Sequence, residues 1–380
     1  MCLRLLSGAV LAAAMLSCVS GPILAAEGAA AEKLIPQTTP IVLTDQTGTV
    51  IRDLDFRGEA FARSEAAITL RNCRDVTITG CRFRNIDANA IRLFECKGIR
   101  IIDNRMTDLG DGKPKMAVYA FRCDGVLIES NRIERVESGA YLCECRGIRF
   151  IGNYVEDVRG PMPRGQMVQF DKVKGPGNEV SHNYALNHRT GARPEDMISM
   201  YKSHGTAESP ILISHNYLMG DPKDGSAGKS GSGSGIMLGD GGGSHILCAD
   251  NVLNAPGQVG IGVASGADIT VRGNLVYGPK SDVSNVGIYV WNQYKEKGGD
   301  IRIVGNTVAW SNARGQHSSF WQGDANQGKQ YEFTSVTVKD NHWDAWDYFQ
   351  THPQPADLDK LWREYRRKHA SSQPATQPAK

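Results

Sequence analysis

The sequence predicts an all-β solenoid, a single stack of about ten to eleven short coils over residues 41–343 with a short helix behind it. Three observations carry this. A pattern of two aliphatic residues at alternate positions, two further residues, then a fixed slot recurs from VTITGCRF to SVTVKDNHW. The slot is Cys81 in the first copy and asparagine in every later one: Asn104, Asn131, Asn153, Asn183, Asn216, Asn251, Asn274, Asn306 and Asn341. A second alternating run precedes each copy, and period-two alternation over a few residues means half-buried strands.

The 380 residues carry 43 basic and 41 acidic side chains, 41% hydrophobic residues and 42 glycines. That is globular composition and excludes a wholly disordered chain. A formal charge of +2 without a basic cluster argues against nucleic acid as the partner.

In chain order, residues 1–26 read as an export signal: Arg4 is the one charge, Leu5 to Val19 is apolar, and Ala25–Ala26 ends it. An alternative makes Cys18 a lipid-attachment cysteine, although Met15 and Leu16 fit a lipoprotein box poorly. No later stretch is long and apolar enough for a membrane span, so a periplasmic or secreted protein is expected, and a monomer. Residues 27–40 read as a flexible leader, and TVIRDLDF, residues 49–56, as a weak first copy of the repeat.

The repeat then steps by 22 to 35 residues. Copies stacked at about 4.8 Å bury one apolar face and bond their backbones to the coils on either side. An Asn at the corner tolerates left-handed backbone, and its amide can donate to the next Asn in a ladder. Cys73, Cys96, Cys123 and Cys145 each lie eight residues before a slot. Such equivalent positions stack with parallel side chains, which suits packed thiols better than disulfides. No spacing suits structural zinc. Behind the repeat, residues 344–370 are expected to cap the last coil. Leu358, Leu361, Trp362 and Tyr365 recur at helical spacing, with Asp357 as N-cap and Arg363, Arg366, Arg367 and Lys368 on a solvated face. Residues 371–380 read as a disordered tail.

Together these features closely resemble the right-handed parallel β-helix of the pectate-lyase-like (pectin-lyase-like) superfamily. The resemblance supplies the handedness, which spacing does not. It also implies a polysaccharide groove on the first strand of each coil, between the loops that close successive coils. Those loops lengthen at 159–166, 189–196 and 220–235. The motifs of polygalacturonase-like and mannuronan-epimerase-like relatives are missing, apart from Ser203–His204–Gly205.

Alignment to the slots sets one outward column as Arg92, Tyr119, Tyr141, Gln169, Ser199, Met237, Gly262 and Tyr289. Its neighbour is Phe94, Phe121, Cys143, Asp171, Tyr201, Gly239, Ala264 and Trp291, and Lys172, Lys202 and Asp240 fall at the strand end. Tyr119, Tyr141, Tyr289 and Trp291 are expected as stacking platforms for sugar rings, with Arg92, Asp171, Lys172 and Asp240 as polar contacts. Gly239 and Gly262 either bare the floor to a ring or ease tight stacking. The expected function is an exported lyase that cleaves a uronic-acid polysaccharide by β-elimination. Lys202 would be the base if burial or Lys172 lowers its pKa, and Tyr201 or His204 the acid. Arg193, or a Ca²⁺ held by Glu195, Asp196, Asp171 or Asp240, would neutralise the uronate. Two alternatives stand beside it. One is a glycan- or envelope-binding β-helix without catalysis. The other is an inverting glycoside hydrolase using Asp171 and Asp240, two coils or about 9.6 Å apart.

Overall fold

A computed structural model of the chain describes residues 34–110, 113–161, 163–188, 191–192, 194–220, 234–294, 298–323 and 332–370. The expected export signal with Cys18, the leader as far as residue 33, Arg193 and the tail from 371 lie outside these residues, as does most of the loop 220–235.

Each coil runs through a first strand, a tight corner, a second strand, the slot corner and a third strand, as in Asn89–Phe94, Lys97–Ile102 and Arg105–Leu109. Successive coils pair in parallel and in register. Eleven coils result. Their first and second strands join into one 21-stranded sheet, and the third strands form a 12-stranded sheet. The chain is a right-handed parallel β-helix, as the sequence resemblance implied.

The alternation explains the core. Ile68, Ile91, Val118, Val168, Ile198, Ile236, Ile261 and Ile288 stack in one row, with Ala140 of coil five between Val118 and Val168, and each is fully buried. Burial of such side chains contributes about 1.5–3 kcal/mol each. The slot residues form the expected ladder. Asn153 Nδ2 donates to Asn183 Oδ1 at 3.1 Å and to the Ile128 carbonyl at 2.9 Å. Asn153 Oδ1 in turn accepts from both nitrogens of Asn131 at 3.0 Å. The left-handed residue at this corner is the one before the Asn: Asp103, Ser130, His182 and Asp250 have φ between 55° and 57°. The Asn is therefore kept for its amide.

All seven cysteines of the described chain are free and buried. Cys96 N lies 3.4 Å from Cys123 Sγ, and Cys123 N lies 3.3 Å from Cys145 Sγ, so the thiols stack as read. At the slot, burial pushes the Cys81 thiol up to about 11, which leaves it unreactive at neutral pH.

Two expectations fail at the ends. Within the supposed leader, Ile35–Gln37 forms a strand that pairs with Leu54–Phe56, covering what would be an open edge of the third-strand sheet. The helices do not lid the last coil. Helix α1, Trp346–Thr351, places Phe349 against Tyr277 and Ala309 on the third-strand side. Helix α2, Leu358–Ala370, runs back to coils five to seven, where Leu358 and Trp362 pack on Tyr154, Tyr184 and Met219. Trp362 Nε1 donates to the Gly152 carbonyl at 2.8 Å. Asp357 caps the helix through Lys360 N at 2.9 Å. Its basic face is not simply solvated: Arg366 pairs with Asp103, and Arg363 with Asp359 at 2.6 Å. The helix is a strap over the aromatics of the third strands.

Candidate functional site

One outward column of the first sheet forms as expected through coil ten, and its neighbour through coil seven. Arg92, Tyr119, Tyr141, Gln169, Ser199, Met237, Gly262 and Tyr289 are successive register partners. In the neighbouring column Phe121 leads through Cys143 and Asp171 to Tyr201. Lys172 and Lys202 occupy the corner just beyond, with left-handed φ of 55° and 48°.

Across coils three to six the polar groups on this face hold one another. The Arg92 guanidinium lies 4.9 Å from the Phe94 ring centre and 5.0 Å from that of Tyr119, and it pairs with Glu65. The Arg164 guanidinium sits 4.0 Å over Tyr141. Glu144 lies 2.9 Å from Arg122 and 3.9 Å from Lys172. The Tyr141 hydroxyl donates to Asp171, and burial together with that bond pushes the Tyr141 phenol well up. Tyr119 and Tyr141 therefore meet cations on their faces, and neither is a bare platform for a sugar.

The register changes in coil eight. Ser199 pairs with Met237, but Ser203 pairs with Gly243, so extra residues bulge at the corner. Tyr201 consequently faces Asp240, not Gly239, and Asp240 moves from the strand end onto the column. Glycines make the bulge: φ is +63° at Gly239 and +65° at Gly241, and a Cβ on Gly239 would lie 2.0 Å from the Ser265 carbonyl oxygen. Gly262 is structural too. A Cβ there would lie 2.6 Å from the Tyr289 ring, which lies down over it. Tyr289 is only 6% exposed, its hydroxyl 3.2 Å from Met237 Sδ and 3.1 Å from Gln293 Nε2. It is floor, not a stacking platform.

Above that floor lies a cavity of about 700 Å³. Glu195, Asp196 and Ser234 line one end, Asp240 and Tyr294 one side, and Trp291, Trp321 and Phe320 the other end. Trp291 and Trp321 meet edge to face at 5.7 Å. Glu195 Oε2 accepts from Gln166 Nε2 at 2.6 Å. Burial and the nearby Asp240 carboxyl raise the Glu195 pKa. Asp196, 7% exposed and bonded to Ser234, is raised well above the carboxylate range by burial and then by Glu195. The Tyr294 hydroxyl reaches back from coil ten to donate to Asp240.

The expected lyase residues are not assembled here. Lys202 is exposed at the corner, with its ammonium 5.2 Å from the centre of the Tyr201 ring, so it lacks the burial its role as base requires. His204 lies further along, Nδ1 3.1 Å from Ser244 Oγ. Among the described residues, the expected calcium set of Glu195, Asp196, Asp171 and Asp240 does not gather at ligand distance, since Asp171 turns to Tyr141 and Lys172. Ligand atoms of Glu156, Asp157 and His188 do converge within 4.8 Å, but His188 N and Nδ1 bond Asp157 there, which accounts for the cluster as a loop closure. Sequence reading missed Tyr294, Gln166 and Trp321. Tyr294 lies past the end of its strand, where strand periodicity gives no direction.

A family model described as a right handed beta helix region matches residues 40–196. Among solved structures, the catalytic domain of a GH87 alpha-1,3-glucanase in complex with nigerose is similar at 14% identity and a TM-score of 0.54. The match covers 79% of this chain and 56% of that one, so the chain spans little over half of the glucanase domain. PfbA, a surface adhesin of Streptococcus pneumoniae, is similar at 13% identity and a TM-score of 0.50, over 79% of this chain and 80% of that one. At such identities the likeness is one of fold. No curated protein matches the sequence significantly. No helix among the described residues is long and apolar enough to cross a membrane.

Proposed function

We propose that the chain is an exported carbohydrate-active β-helix whose cavity hydrolyses a glycosidic bond. Glu195 acts as general acid and Asp240 as general base. The Glu195 proton goes to the leaving glycosidic oxygen as the C1–O bond breaks. A water loses its proton to Asp240 and forms the new C1–O bond. Burial and the Asp240 carboxyl favour the protonated form of Glu195, and Ser234 holds Asp196 beside it.

One observation carries this reading: three carboxyls share an aromatic-walled cavity whose described lining includes neither lysine nor arginine. β-Elimination needs a cation against the uronate, and the described lining offers only His317 for that role, which favours a glycan without carboxylates at the cleaved unit. The similar fold of a glucanase catalytic domain described in complex with nigerose supports this reading.

The test is incubation with neutral glucans, alginate and pectate, following reducing ends and the ultraviolet absorbance of unsaturated products. Reducing ends without absorbance are expected from a neutral polymer. Glu195→Gln and Asp240→Asn should each lower turnover by about 100-fold or more with the fold intact. Absorbing product from a uronate would restore elimination. Retained glycan binding with no product would leave the non-catalytic reading.

A further inference from the structure

Between the cavity and the aromatic row, the outward column of the first sheet is roofed. Gln169 and Ser199 face outward in the register, yet are 8% and 2% exposed, and Tyr141 is 9% exposed. The cover comes from the connection after coil five. Gln166, fully buried, fixes Glu195 from one side and reaches Ser138 Oγ at 3.3 Å on the other. Arg164, two residues earlier, bonds the Pro163 carbonyl at 3.0 Å and Gln169 Oε1 at 3.4 Å and lays its guanidinium over Tyr141. A planar cation thus occupies the place against an aromatic ring that a sugar ring would take.

We propose that Arg164 is the barrier that ends the cavity beside Glu195, so that a glycan enters only from the side of coils nine to eleven and is cut near its end. This rests on the hydrolase reading. Without the guanidinium, Tyr141 would become one more stacking position, and the cleft would continue over coils five and six.

The experiment compares the full chain with Arg164→Ala and Arg164→Met on a length series of neutral gluco-oligosaccharides. Photo-CIDNP with a flavin dye reports in parallel whether the Tyr141 ring has become accessible. The wild type should release short products, with kcat/KM insensitive to length once the cavity is filled. In Arg164→Ala, Tyr141 should become dye-accessible, and kcat/KM should climb by about tenfold on the longer members, the gain from one stacked ring. Arg164→Met keeps an aliphatic cover and should fall between; it also answers the question if the alanine variant fails to fold. An unchanged length profile with Tyr141 accessible would overturn the barrier and leave the hydrolase reading standing. Absence of turnover and of binding in every protein would strike the hydrolase reading, and the barrier with it.

Discussion

In coils three to six the first sheet shows rings and cations that satisfy one another: Arg92 between Phe94, Tyr119 and Glu65, and Arg164 on Tyr141. From coil seven onward the same face borders a cavity with three carboxyls and no lysine or arginine among its described lining. The parallel pairing of the strands is shared, so the strand pattern itself does not make the difference. The connections do. A longer connection after coil five roofs the sheet, while the glycine bulge at 239–243 moves Asp240 onto the column and turns the corner outward. A rigid repeat thus yields one half covered by rings and cations and one half that opens onto a cavity of carboxyls.

The sharpest way to break this contrast is paired substitution. Glu195→Gln should cost about 100-fold or more in turnover, whereas Arg122→Gln, in the other half, should leave it unchanged, both read as kcat/KM on the responsive glycan. The next effect is on stability, where α2 crosses from coil five to coil seven and ties the halves together. Trp362→Ala should cost about 3 kcal/mol in urea unfolding, since it empties a site 4% exposed and removes the bond to Gly152. Deletion of residues 344–369 should lower solubility by baring Tyr184, Tyr217 and Met219.

Asp196→Asn should act in the opposite sense. The folded state raises the Asp196 pKa, so above the ordinary aspartate range it binds more protons than the unfolded chain and loses stability as pH rises. The amide removes that loss. A gain of about 1 kcal/mol is expected at neutral pH, fading to nothing below the ordinary aspartate pKa of about 3.9, as thermal scans across pH would show. The smallest effect belongs to Lys202→Ala, within about 0.5 kcal/mol and with turnover retained, because the side chain is an exposed corner residue. A large loss would return the base role to it.

The coil, its inward rows, the Asn ladder and the thiol column were legible because each depends on residues at a fixed offset from the slot. Legibility ended where the offset did. Asp240 was placed a position late because a glycine-rich corner can absorb residues without any change in hydrophobic pattern. Glu195 and Asp196 were noticed as calcium ligands, but their joint burial depends on Gln166 and Ser234 from adjacent coils. Tyr289 looked like a platform because its outward column implies exposure, when its ring lies down over Gly262 instead. The helix was read correctly from its spacing and cap, but no local signal says where an amphipathic segment docks.

The strap also imposes an order on biogenesis. Trp362 meets Gly152 across 210 residues of chain, so α2 leaves the ribosome that much later. At ~5–20 residues per second, the aromatic strip on coil five waits roughly 10–40 s for its partner. During that interval a finished coil presents sticky surface with nothing to shield it. Nascent chains of this protein should therefore depend on a holding chaperone until helix α2 arrives, more than their regular repeat would suggest.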